Sequence, residues 1–147
     1  MTFQNDTKSL TLTVSAYEFP DRDGKGEDFD FDANWLVLHG EYREGRSLRT
    51  FDNSCLLTTE LQELIAALKL MIGGVRDSFQ SEFTDPYFEL SIEALDLTRF
   101  MVYASFSMLV AENEWKNFDV ESVVDTDGLK KLLDEAERES KNFPVKE

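Results

Sequence analysis

The chain has 147 residues, 41% of them hydrophobic, and its 15 Lys and Arg against 30 Asp and Glu give a formal charge of −15. A chain of this length buries roughly 68–70% of the surface its unfolded form exposes, so a single domain over residues 1–147 folds without a metal or a disulfide. The charge excludes nucleic acid and anionic membrane as partners, because phosphates brought onto this surface are repelled and no counterions are released; basic protein partners remain open.

The N-terminal segment Met1 to Asp6 has neither the basic nor the apolar region of a signal peptide. Residues 9–19 (SLTLTVSAYEF) set Leu10, Leu12, Val14 and Ala16 against Thr11, Thr13, Ser15 and Tyr17. That period of two predicts a strand with one wet face. Residues 20–34 (PDRDGKGEDFDFDAN) hold two glycines and six acids and read as a loop. Trp35 to Tyr42 reads as a strand, Glu44-Gly45 as a hairpin turn and Arg46 to Asp52 as its partner. Cys55, the only cysteine, follows. A lone thiol leaves no internal disulfide and no thiol metal site, which suits a reducing cytosol.

A helix is predicted over Glu60 to Ile72, where Leu61, Leu64, Ile65, Leu68 and Ile72 fall at steps of three and four. Thr59 with Gln62 fits a capping box, and Gly73-Gly74 fits the left-handed stop. Alternation returns at Tyr87 to Leu95, a turn occupies Leu95 to Thr98, and Arg99 to Val110 carries Phe100, Val102, Ala104, Phe106, Met108 and Val110 on one face. Trp115 to Val124 is a third strand, and a second helix runs from about Asp127 to Ser140 with Thr126 or Asp127 near its cap. No window reaches 18 apolar residues, so no membrane span is expected. The order is that of two similar strand-strand-strand-helix units. It implies a mostly antiparallel sheet in an α+β fold of one domain.

Catalytic chemistry finds little to work with. His39 is the only histidine and shares a strand face with Trp35 and Val37, as a structural histidine does; Cys55 has no glycine elbow and would need His39 beside it. P-loop, GxGxxG, GxSxG and HExxH patterns are absent. Thirty acids make chance carboxylate pairs unavoidable, so pairing carries no signal. We therefore expect no catalytic residues, no cofactor and no enzyme.

Charge is concentrated between residues 18 and 32, where seven acids meet only Arg22 and Lys25. As a calcium loop, Asp21, Asp23, Gly26 and Asp32 take positions one, three, six and twelve, but Lys25 occupies a ligand position, Asp replaces the bidentate Glu and strands replace the flanking helices. The loop reads as a solvated segment, as a weak divalent-cation module, or as a partner surface made of Asp21, Asp23, Glu27, Asp28, Asp30, Asp32 and Trp35. Phe29 and Phe31 are then either apolar anchors between the charges or side chains tucked into the core.

Several runs resemble the WapI-type immunity proteins of bacterial toxin systems: Tyr17-Glu18-Phe19-Pro20-Asp21, Asp32-Ala33-Asn34-Trp35-Leu36, Cys55-Leu56-Leu57-Thr58-Thr59-Glu60-Leu61 and the tail Asn142-Phe143-Pro144-Val145. The resemblance implies a small cytoplasmic α+β protein that binds and blocks a cognate toxin domain, or a relative serving another protein partner. It brings no catalytic residues. Toxin nucleases are basic because they bind phosphates, and an acidic inhibitor matches such a surface.

Overall fold

The computed structural model describes residues 1–147. Its strands are β1 (Thr2–Gln4), β2 (Lys8–Tyr17), β3 (Trp35–Glu44), β4 (Ser47–Leu57), β5 (Ser78–Gln80), β6 (Phe88–Ala94), β7 (Arg99–Ala111) and β8 (Glu114–Asp125). Helix α1 (Thr58–Ile72) follows β4, and α2 (Thr126–Asn142) follows β8. The strands form two antiparallel sheets, ordered β1-β2-β3-β4 and β5-β6-β7-β8. The antiparallel α+β reading with two similar halves is thus borne out, but each half has four strands. The missed strands, β1 and β5, span three residues each, too few for alternation to register.

Local departures have local causes. Ala16 is exposed because a bulge shifts the β2–β3 register between Val14↔Leu38 and Ala16↔Val37, turning Tyr17 half-inward. The partner of β3 runs on to Leu57. Helix α1 begins at Thr58, and its start is satisfied by Glu60, not by Gln62: Glu60 Oε1 accepts from the Leu57 amide at 3.0 Å. The other Glu60 oxygen accepts from the Thr84 amide at 2.6 Å, so this buried carboxylate ties α1 to the second half of the chain. Gln62 instead donates to Ser140 Oγ on α2 at 2.5 Å. The cap of α2 is Asp125, which accepts from the Gly128 amide at 2.8 Å. The predicted stop of α1 holds: Gly74 has φ +74° and Val75 N–H reaches back to Leu70 O at 2.9 Å.

One cluster of 31 buried residues joins both sheets and both helices. Between the sheets it is aromatic. The Phe51 ring lies 4.5 Å from that of Phe106 and stacks on Phe118 at 5.6 Å, while Tyr42 meets Phe118 at 5.1 Å. Opposite Phe51 in the β3–β4 register is Gly40, and a Cβ there would collide with the Phe51 ring. The absence of a side chain at Gly40 makes room for that ring.

Strand β8 crosses the first sheet. Phe118 meets Phe51 on β4 and Tyr42 on β3, Asp119 O accepts from Tyr42 Oη at 3.1 Å, Lys8 on β2 reaches Asp119 at 3.5 Å, and Asn5 before β2 donates to Glu121 O at 2.9 Å. Residues ahead of Phe118 therefore project past β4. Val110, expected on the buried face of β7, is exposed at the β7–β8 tip, where the register passes from Leu109↔Trp115 to Ala111↔Glu114 and skips it.

The turn at Leu95 to Thr98 supplies a pH-dependent element. Asp96 Oδ1 accepts from the Thr98 and Arg99 amides at 2.9 Å each, and Oδ2 accepts from Arg99 Nε at 2.7 Å. The Thr98 amide first, then the Arg99 side chain, hold its carboxyl down at about 2. A depressed folded pKa adds stability above the unfolded value and loses it on acidification, here between about pH 4 and pH 2. Asp96→Asn is expected to lower the melting temperature at pH 7 and to flatten its fall over that window, measured by thermal melts across pH.

Candidate functional site

The loop between β2 and β3 is built around Asn34, which is fully buried. Its amide nitrogen donates to Asp30 O and Lys146 O, both at 2.9 Å. Its oxygen accepts from Thr58 Oγ1 at 2.6 Å and from the Lys146 amide at 2.8 Å. One side chain thus binds the loop, the first residue of α1 and the C-terminal tail, and its two donors and two acceptor positions are all used.

The tail then closes over the loop. Lys146 Nζ donates to the carbonyls of Arg22 (2.6 Å), Pro20 (3.3 Å) and Phe19 (3.5 Å), and stands 3.9 Å from the centre of the Tyr17 ring. Tyr17 donates its hydroxyl proton to Pro144 O at 2.6 Å and meets Phe143 edge-on at 5.4 Å. Gly24, at φ +75°, lies so close to Lys146 that a Cβ would fall 2.7 Å from its carbonyl oxygen. The loop is long and polar but its path is held from inside.

Six carboxylates were expected to form the surface. Asp21, Asp23, Glu27, Asp28 and Asp32 are exposed. Asp30 is different: its Oδ2 accepts from Arg22 Nη2 (2.9 Å) and Nε (3.2 Å), and its Oδ1 from the Ala33 amide (3.2 Å). Desolvation pushes the Asp30 carboxyl up, but the Ala33 amide and the Arg22 guanidinium outweigh it and hold the group below its ordinary value. Asp30 is a structural member of the loop. Asp23 Oδ1 accepts from the Lys25 amide at 2.9 Å, and the side chain stays exposed.

Of the two readings of Phe29 and Phe31, the core reading fails. They are 37% and 58% exposed and pair edge-to-face at 5.0 Å on the surface. Trp35 is half-buried at the loop's base, where its carbonyl accepts from the Glu18 amide at 2.9 Å. Carboxylates and apolar rings are therefore displayed together. No three His, Cys, Asp or Glu side chains converge closely enough to hold a metal ion.

His39 and Cys55 stand apart. His39 is half-exposed on the outer face of β3, with Nδ1 2.9 Å from Asp52 Oδ1 and Nε2 3.9 Å from Glu41 Oε1. Cys55 is fully buried, and burial first, then the charges of Asp85 and Glu60, push its thiol up to about 12. Such a thiol is a packing group, not a nucleophile. The largest concavity, about 590 Å³, is a broad open trough lined by residues such as Asn5, Asp6 and Glu121, without the enclosure of a small-molecule pocket. No helix is long and apolar enough to cross a membrane.

The residues that organise the loop are Asn34, Lys146, Tyr17 and Gly24. Tyr17 and Asn34 fall within the runs that carried the family resemblance, Gly24 and Lys146 fall outside them, and the structure brings all four to one place.

Two antiparallel meanders, each running into a helix, with one pinned loop of carboxylates and surface aromatics, define a small α+β domain with an exposed acidic loop. The profile of the immunity protein WapI-like family matches residues 1–144, and the chain belongs to that family. Membership implies a toxin-neutralising, protein-binding role, and immunity proteins are generally not enzymes. No curated protein sequence and no solved structure matches the chain.

Proposed function

We propose that this protein is a cytoplasmic, non-enzymatic inhibitor that binds a basic toxin domain through the loop of residues 18–35. The observation that carries the reading is the display itself: five exposed carboxylates and the Phe29–Phe31 pair on a loop that Asn34 and Lys146 hold in one conformation. Exposed charge of one sign speeds encounter with a basic surface, the rings supply apolar anchors, and a pre-ordered loop loses little entropy on binding. Trp35 extends the contact at the loop's base.

The test takes as its probe the basic C-terminal domain of any secreted toxin encoded by a gene flanking this one, and measures the association rate. Changing Asp21, Asp23 and Asp28 to Asn and Glu27 to Gln is expected to slow association by at least about tenfold at low salt and to flatten its dependence on ionic strength. Asp30 stays untouched, because it is spent inside the loop. An unchanged rate and salt slope would remove the loop from the interface.

A further inference from the structure

Strand β4 is the outer strand of the first sheet, eleven residues long and paired on one side only. The turn between β3 and β4 has two residues, Gly45 and Arg46, with φ +61° at Gly45. Glu44 and Ser47 flank it as a hydrogen-bonded pair. Alternation then aims the amides of Arg49, Phe51 and Asn53 at β3 and leaves those of Leu48, Thr50 and Asp52 facing outward. Native edges of this length are covered, bulged away or used.

The charge around this edge runs against the rest of the molecule. Residues 43–50 hold three of the seven arginines and a single acid in a chain of formal charge −15. Arg43, Arg46 and Arg49 are all exposed, and none joins any of the ion pairs of the protein. The acids near them are already engaged: Asp52 and Glu41 face His39, and Glu44 lies in the field of Lys8. The β7–β8 tip adds a further exposed cation. Lys116 lies over Phe118 on the side turned toward the first sheet, and two residues of strand, roughly 7 Å, carry it beyond the Phe51 stack.

We propose that the free edge of β4 is a second binding site, which takes an extended, acidic segment of a protein partner as a fifth strand of the first sheet. The outward amides and carbonyls of Leu48, Thr50 and Asp52 supply the ladder, and the arginines on either face and at the turn pair with its carboxylates. The site is separate from the acidic loop. The loop enters β3 at Trp35 and the arginine hairpin leaves it at Glu44, some 30 Å of strand away, and the two surfaces are opposite in sign.

The probe is a capped ten-residue peptide alternating Glu and Val, titrated into the full chain and followed by amide chemical shifts and hydrogen exchange. Shifts and protection are expected at Leu48, Thr50 and Asp52. Changing Arg43, Arg46 and Arg49 together to Gln is expected to weaken binding roughly tenfold while leaving the melting temperature unchanged, since exposed ion pairs are individually weak but add here. The Lys-Val counterpart is expected not to bind. No response at millimolar peptide, equal binding of the Lys-Val peptide, or shifts centred elsewhere would overturn the assignment. So would concentration-dependent protection of these amides without peptide, which would make a second copy the occupant.

Discussion

Asn34→Ala is expected to cost about 3 kcal/mol, the larger of the losses available around the loop. The substitution deletes four hydrogen bonds at a fully buried position and leaves the Thr58 hydroxyl, the Lys146 amide and the carbonyls of Asp30 and Lys146 without their partner. Each buried group left unsatisfied costs about 1–3 kcal/mol, and water reaching the half-buried tail at Lys146 satisfies part of the four, which keeps the total below their sum. For a domain of this size that corresponds to a fall in melting temperature of about 6–12 °C. The effect has a spatial signature as well: hydrogen exchange should rise through residues 19–33 and 143–147 together, because one side chain holds both. Lys146→Met should raise exchange in the loop with a smaller thermal loss, since its ammonium is nearer the surface. A melting temperature within about a degree of the parent for Asn34→Ala would mean that the loop is held by something else.

Phe51→Ala is expected to cost about 3–5 kcal/mol, the range for removing a buried phenylalanine. Phe51 is the ring on which the two sheets meet, through Phe106 and Phe118, so its loss opens a void between layers that cannot collapse by moving one side chain. Gly40→Ala attacks the same contact from the other side. Its new methyl collides with the Phe51 ring and should cost about 1–3 kcal/mol, as overpacking does. The two sites share one volume, so Gly40→Ala combined with Phe51→Leu should be less destabilising than the sum of the single changes. Strict additivity in denaturant titrations would contradict this packing.

The large elements were readable from sequence because each carries its own period. The alternation in Phe88 to Ala94 and the three-four spacing in Leu61 to Leu68 are properties of neighbours along the chain, and the structure keeps both. What escaped depends on partners distant in sequence. The pairing of Asn34 with Lys146 spans 112 residues, and nothing local distinguishes this asparagine from a solvated one in an acidic loop. Glu60 was hidden for the same reason: its second amide comes from Thr84, while Thr59 with Gln62 gave a plausible local cap. The bulge at Ser15 inverts the expected face of Ala16, since a one-residue slip is invisible to a period-two pattern until the partner strand is in place. Within the loop, counting charges could not separate Asp30, which is bound by Arg22, from its five exposed neighbours. The net charge of −15 likewise concealed the cationic edge at Arg43, Arg46 and Arg49.

The most direct test of the central claim is hydrogen exchange on this protein alone and mixed with the basic C-terminal domain of a secreted toxin encoded by a flanking gene. We predict a stoichiometric complex that weakens as salt is raised, with protection gained at residues 18–35. Absence of a complex would contradict the inhibitor reading itself, and a complex in which residues 18–35 exchange as they do in the free protein would contradict the loop as its binding surface.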